Sequence, residues 1–243
     1  MMLYRIHKNG GEKSMSVHDG HRKRMRQRFL AEGLDQFTDV QILEILLFYC
    51  IARQDTNPIA HELLNHFGSL SQVLEAPVEE LCKVDGIGEN TAVFLKLITQ
   101  VGRCYLTDRA SKSRILPTLD SCAKYLQTFF FGRNVETVYL LCLDAKCKML
   151  CCKKISEGDV NSTTLSVRKI VETALSTNAS SVVLAHNHPG GLAVPSNVDV
   201  QTTLRIADAL QAVDVHFIDH ILVTDDDYVS LAQSGYTFPA SNG

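Results

Sequence analysis

Apolar and polar positions follow two different periods along the chain. Between residues 19 and 106 the apolar positions recur at helical spacing, with cap signals at Thr38 and Asn57 and a glycine, Gly68, where a helix should end. After residue 119, short apolar runs of strand length alternate with amphipathic stretches of helix length. The pattern predicts a small all-α domain over residues 19–106 and an α/β (α+β) domain over residues 119–243, with a mixed sheet flanked by helices.

The segments outside these two domains are polar. Residues 1–18 contain the pair Gly10-Gly11 and have no periodic apolar positions, so we expect a flexible tail. Residues 107–118 are polar and charged with few apolar positions, and we interpret them as a linker. In the second domain we expect strands over residues 136–143, 149–155, 180–186 and 215–224, and helices over residues 120–129, 166–178 and 196–213.

Residues 185–199, AHNHPGGLAVPSNVD, join the end of a predicted strand to the start of a predicted helix. On an extended strand His186 and His188 project to the same side, and Pro189 stops the strand. Ser196 stands where a helix N-cap belongs, and Asp199 is then the third residue of that helix. Two imidazoles and a carboxylate are three ligands of a catalytic zinc site that leaves a fourth position for water. Taken alone, Ser196 and Asp199 are equally typical of a structural capping box.

The motif H-x-H-P, six residues and S-x-x-D resembles the signature of the JAMM (JAB/MPN) metalloproteases in residue types and spacing. Together with the helical first half, the chain resembles the RadC family over roughly residues 19–240. Asp219-His220-Ile221 and the segment 158–168 are similar to further motifs of that family. One departure is Val167-Arg168-Lys169, where the family often has Pro-Arg-Glu.

The resemblance implies a JAMM-type zinc domain that hydrolyses a peptide or isopeptide bond. It implies His186, His188 and Asp199 as Zn²⁺ ligands and Glu136, near the start of a strand, as the general base, with Glu157 as the rival candidate. It further implies that the Ser196 hydroxyl can stabilise an oxyanion.

Two neighbours on a predicted strand allow two interpretations. Asp219 and His220 either orient a metal ligand from behind or are buried polar groups that serve the fold alone. Between the two histidines the chain has Asn187, as in the RadC branch, where eukaryotic JAMM enzymes usually carry Ser or Thr.

A second functional hypothesis comes from the first domain. Residues 84–92 resemble a helix-hairpin-helix turn, in which the backbone at Gly86 and Gly88 can hold a DNA phosphate without reading bases. The basic run over residues 21–28 could add backbone contacts, or it could be the solvated face of a helix. A plain helix–helix turn explains the glycines equally well, and the acidic residues beside them oppose phosphate binding. The alternative function is therefore a DNA-associated repair or recombination accessory protein with the JAMM domain as scaffold.

Composition limits the functional classes and the partners that remain possible. A net charge of −3 excludes a polycation, and no apolar run reaches membrane-spanning length. The eight cysteines lie mostly in apolar segments and lack the paired spacing of zinc hooks, so we expect free thiols in a reducing, cytoplasmic compartment. The expected partners are an unidentified peptide or protein substrate and non-specific DNA, with no membrane.

Overall fold

The computed structural model describes residues 17–52, 54–111, 115–158, 166–190, 194–224 and 227–238. In them a helical region precedes a five-stranded mixed sheet flanked by helices, which confirms the predicted fold class. The helices are α1 (Val17–Glu32), α2 (Asp39–Leu47), α3 (Asn57–Phe67), α4 (Leu70–Glu75), α5 (Val78–Leu81), α6 (Glu89–Ser111), α7 (Leu119–Phe130), α8 (Val167–Ser176) and α9 (Asn197–Gln211). The strands are β1 (Thr137–Leu143), β2 (Met149–Glu157), β3 (Ser181–Asn187), β4 (His216–Val223) and β5 (Tyr228–Ser230). Among the described helices none is long and apolar enough to cross a membrane.

The first of two compact units, Met1–Leu97, is built around apolar side chains that its short helices share. Leu43 and Leu47 lie one turn apart on α2 and are fully buried, as is Leu63 on α3. The predicted capping box at Thr38 is present, because its side chain accepts the N–H of Gln41 and the Gln41 side chain accepts the N–H of Thr38. Apolar spacing and capping are local signals, and they therefore explain why these helices could be predicted from neighbouring residues.

The turn between α5 and α6 depends on one of its two glycines. Gly86 has a φ of +86°, and a Cβ there would lie 2.7 Å from Cδ1 of Ile59. A Cβ at Gly88 would meet nothing within 4 Å. The neighbouring Val84 and Ile87 are buried in the core of the unit. The fold thus accounts for Gly86 but places no demand on Gly88.

Gly86→Ala is expected to lower the free energy of unfolding by about 1–3 kcal/mol, because a left-handed conformation costs a residue with a Cβ about 1–2 kcal/mol and the methyl group also overpacks against Ile59. Urea unfolding followed by circular dichroism measures the change. Gly88→Ala is the matched control and should change stability by no more than about 1 kcal/mol. Equal losses in the two variants would contradict this explanation of the turn.

Helix α6 corrects the start of the predicted linker over residues 107–118, because it continues to Ser111. Leu106 and Ala110 are half-buried one helical turn apart, so the helical period continues through a sequence that is otherwise polar. Asp108 and Arg109 lie on the exposed side of this helix. The linker residues 112–114 lie outside the described residues, and the other predicted domain limits stay predictions.

The predicted tail, residues 1–18, can be compared with the structure only at its end. Residues 1–16 lie outside the described part of the chain, and α1 begins at Val17, within the predicted tail.

The second unit, Ile98–Gly243, contains a sheet with strand order β2-β1-β3-β4-β5. β3 and β4 are parallel, and the other neighbours are antiparallel. Residues of α8 and α9 pack on one face of the sheet and residues of α7 on the other. Burial on both faces explains why β1 and β3 are continuous apolar runs without alternation.

The strand directions bring residues that are distant in sequence together at one end of the inner strands β1 and β3. Because β1 is antiparallel to β3, the start of β1 lies beside the end of β3, and Val138 pairs with His186. β3 finishes here at Asn187, and α9 begins at Asn197. Side chains before β1, after β3 and in the first turn of α9 can therefore meet.

Candidate metal centre

The end of β3 brings two imidazoles together. Nε2 of His186 lies 2.8 Å from Nε2 of His188, as the alternation of side chains along a strand predicts. Asn187 between them bonds to a different set of groups, the backbone before β1. His186 is buried and His188 is partly exposed, so the pair lies at the surface end of the sheet.

Asp199 faces this pair from the first turn of α9. Its Oδ1 lies 3.7 Å from Nε2 of His186, and its Oδ2 lies 3.7 Å from Nε2 of His188. The predicted capping box is also present, because the Ser196 hydroxyl accepts the N–H of Asp199 and the Asp199 carboxylate accepts the N–H of Ser196. The same carboxylate therefore caps the helix and faces the histidines, so the structural and functional interpretations of this motif are compatible.

The Ser196 hydroxyl has a fixed partner in the structure. It lies 2.6 Å from Oδ2 of Asp199 and donates its one hydrogen to that carboxylate oxygen. Stabilising an oxyanion, as the resemblance implies, would require this hydrogen to change its acceptor. The oxyanion role of Ser196 stays a prediction.

Glu136 lies directly before β1, where its carbonyl accepts the N–H of Gly158 at 3.0 Å. One ligand atom from each of Glu136, His186 and His188 lies within 4.8 Å of the others. The strand register, rather than any local motif, places this carboxylate beside the two imidazoles.

Glu157, the rival candidate, occupies the end of β2 and bonds to two cations. It pairs with Lys154 and, at 3.0 Å, with Nη1 of Arg133. The Lys154 ammonium and then the Arg133 guanidinium hold the pKa of Glu157 below its usual range. A base already stabilised as a carboxylate is a weak proton acceptor, which counts against Glu157 for that role.

The residues present fit a zinc ion. Two ligands on a tetrahedral zinc with bonds of about 2.0–2.1 Å lie roughly 3.3 Å apart. The distance of 2.8 Å between the imidazoles and the two distances of 3.7 Å from imidazole to carboxylate lie on either side of that value. Two nitrogen donors and one carboxylate are also the donor types that catalytic zinc sites use.

Burial keeps the imidazoles of His186 and His220 neutral. It lowers the pKa of His186 to about 4, although the nearby Asp199 carboxylate acts in the opposite direction. Burial likewise holds the pKa of His220 well below its usual range, and His186 and His188 act in the same direction. Neutral imidazole is the form that binds a metal, so the environment favours the binding-competent state.

The structure separates the roles of Asp219 and His220. His220 bonds to a candidate ligand, with Nε2 at 2.7 Å from Nδ1 of His186. Asp219 instead accepts the Ser230 hydroxyl and the backbone N–H of Ala232, so it fastens the segment at and after β5. Burial raises the pKa of Asp219, against the effect of these hydrogen bonds.

The contacts of two further residues of the site were not predicted from the sequence. The Asn187 side chain accepts the N–H of Thr137 at 2.8 Å and donates to the carbonyl of Val135 at 3.2 Å, so it holds the backbone on both sides of Glu136. Thr203 lies behind His220, with Oγ1 at 2.6 Å from Nδ1. A polar residue at the end of an apolar run of strand length is the available signal for Asn187. Thr203 has no signal beyond its place one turn after Asp199.

The glycines and cations predicted to contact DNA belong to the first unit. Part of the basic run serves the fold, since Arg22 donates to the carbonyls of Ile51 and Gln54 at 2.6 Å and 2.7 Å. Lys23 and Arg26 are exposed. DNA binding by this unit stays a prediction.

Comparisons with known proteins identify relatives of both parts of the chain. A family model of the RadC-like JAB domain matches residues 116–236, and a model described as UPF0758 N-terminal matches residues 20–93. A UPF0758 protein of Fusobacterium nucleatum is 35% identical over 223 residues, which cover 89% of this chain and 96% of that protein. UPF0758 proteins of Ruegeria pomeroyi and Aliivibrio fischeri are 33% and 32% identical, over 89% and 88% of this chain and 96% and 95% of their own lengths. These matches over both parts of the chain show that it belongs to the RadC family and carries a JAB domain of the JAMM type.

Proposed function

We propose that this protein is a zinc-dependent hydrolase that cleaves a peptide or isopeptide bond with an activated water molecule. The observation that carries the proposal is the convergence of Glu136, His186 and His188 within 4.8 Å, with the Asp199 carboxylate 3.7 Å from both imidazoles. The match to a RadC-like JAB domain supports the same reaction class. We assign the zinc ligands to His186, His188 and Asp199, and the general base to Glu136.

A zinc ion held by these ligands would supply Lewis acidity, which lowers the pKa of water to about 7 and polarises a carbonyl oxygen. Glu136 would accept a proton from the attacking water and deliver it to the nitrogen of the leaving amine. Acid and base roles then belong to one carboxylate, which changes its protonation state twice in each cycle.

The remaining residues of the site hold these groups in place. Asn187 fixes the backbone on both sides of Glu136, which keeps the carboxylate near the end of β3. Ser196 holds the Asp199 carboxylate toward the histidines through its hydroxyl and its N–H. Both contacts limit the movement of the groups that must meet the substrate, and positioning of this kind is a major source of catalytic rate.

Asp199→Ala is expected to weaken zinc binding by more than about 100-fold, since loss of a ligand should exceed the 10–100-fold effect of removing a group behind one. The purified full chain is titrated with zinc in competition with a chromogenic chelator, and its zinc content is measured after gel filtration. We expect about one zinc ion per chain for the unchanged protein.

Asp208→Ala provides the matched control, because Asp208 is an exposed aspartate on the same helix, α9. It should bind zinc as the unchanged protein does. No stoichiometric zinc in the unchanged protein, or equal affinity in the Asp199→Ala variant, would refute the proposed metal centre.

A further inference from the structure

A chain of buried hydrogen bonds runs from α9 through β4 to the candidate ligand on β3. Oγ1 of Thr203 lies 2.6 Å from Nδ1 of His220, and Nε2 of His220 lies 2.7 Å from Nδ1 of His186. The three residues are 0%, 4% and 2% exposed, in that order, so solvent has little access to these groups. Each bond must therefore have a donor and an acceptor within the chain itself.

The direction of these bonds follows from the first residue. Oγ1 of Thr203 also lies 2.6 Å from the carbonyl oxygen of Asp199, which can only accept a hydrogen bond. The hydroxyl has one hydrogen and donates it to that carbonyl, so toward His220 it acts as the acceptor. Nδ1 of His220 must then carry a hydrogen.

The same direction of donor and acceptor continues from His220 to His186. Burial favours neutral imidazoles, which carry one hydrogen each. If Nδ1 of His220 is protonated, Nε2 of His220 has a lone pair and accepts the Nδ1–H of His186. Nε2 of His186 is then left with its lone pair, and this is the atom 2.8 Å from His188 and 3.7 Å from Asp199. The opposite order would place a hydrogen on Nε2 of His186 and block it as a ligand.

We propose that Thr203 and His220 are positioning residues that keep the hydrogen of His186 on Nδ1 and so present its Nε2 as a metal ligand. The inference rests on the proposed metal centre. Metal-binding histidines usually donate their second N–H to a carbonyl or a carboxylate. Here the acceptor is a second histidine, whose own tautomer is set by a threonine that is also bonded to the backbone of the ligand Asp199. The network thereby links two of the three ligands.

Thr203→Val tests the proposal, because it keeps the branched shape and removes the hydroxyl. Without that acceptor, Nδ1 of His220 no longer has a partner for a hydrogen, so the hydrogen of His220 moves to Nε2. It is then donated to Nδ1 of His186, and the hydrogen of His186 moves to its own Nε2. Long-range ¹H–¹⁵N correlation spectra of the metal-free full chain report which ring nitrogen is protonated. We expect Nδ1–H on His186 in the unchanged protein and Nε2–H in the variant, together with a 10–100-fold loss of zinc affinity, roughly the effect of removing such a supporting group.

Thr203→Ser is the matched control, since it keeps the hydroxyl and should keep both the tautomer and the affinity. His220→Phe keeps a ring and removes both nitrogens, so it should also weaken zinc binding, and it serves as the second variant should Thr203→Val not fold. Unchanged tautomer and affinity in the folded variants would overturn the proposal. Absence of zinc binding by the unchanged protein would refute the metal centre, while the tautomer spectra would still decide the order of the hydrogen bonds.

Discussion

A Glu136→Gln variant is expected to hydrolyse amide bonds about 10²–10⁴-fold more slowly than the unchanged protein, because that is the usual contribution of a general base. Glutamine has almost the same shape but cannot accept the proton of the attacking water. The side chain lies beside the histidines without belonging to the proposed ligand set, so zinc content should stay the same. The loss should appear in the turnover rate, measured as new amino groups released from a library of peptides and lysine-linked isopeptides.

Glu157→Gln is the control for this experiment, because it makes the same change in the carboxylate that pairs with Arg133 and Lys154. Its rate should remain within a few-fold of the unchanged protein. A large loss in Glu157→Gln and none in Glu136→Gln would exchange the two assignments. Hydrolysis that persists in both variants would remove the carboxylate base from the proposed reaction.

An Asn187→Leu variant is expected to lose about 1–3 kcal/mol of unfolding free energy, because the buried N–H of Thr137 is left without its hydrogen-bond partner. Asn187 accepts the N–H of Thr137 and donates to the carbonyl of Val135, which also accepts the Thr137 hydroxyl, so Thr137 and Val135 both lose their contact with the end of β3. They flank Glu136, so the carboxylate should also move. A displacement of about 1 Å in an active site can lower the rate by roughly 10²-fold, and we expect a loss of that order.

Urea unfolding and turnover measured on the same preparation separate the two effects of Asn187→Leu. Asn65→Leu makes the same replacement at an exposed position of α3 and should leave the rate unchanged, with a change in stability of about 0.5 kcal/mol or less. If Asn187→Leu is destabilised but retains full turnover, the side chain supports the fold without positioning the base.

Local spacing explains why the meeting of His186, His188 and Asp199 could be predicted from the sequence. Two residues in i and i+2 positions share one side of a strand, and Asp199 has a fixed place in a capping box that begins at Ser196. These relations depend on neighbouring residues only. The fold class follows in the same way from the change of apolar period after residue 119.

The rest of the site depends on contacts between segments far apart in sequence. The hydrogen bond between the Asn187 side chain and the start of β1 forms only in the observed register of β1 and β3. The bond from Thr203 to His220 requires α9 to pack on β4. Neither the register nor the packing has a local signal. In the same way, a mostly polar helical segment such as residues 107–111 can be interpreted as a linker.

The order of the strands also affects the solubility of the protein. An outer strand offers unpaired N–H and C=O groups to any other chain, and such edges promote aggregation. β2 is one outer strand of this sheet, and it carries the exposed lysines Lys153 and Lys154. The opposite edge is β5, which has three residues. Positive charge on one side and short length on the other both oppose edge-to-edge association of sheets, so replacing the two lysines by apolar residues would create an aggregation hazard without touching the metal centre.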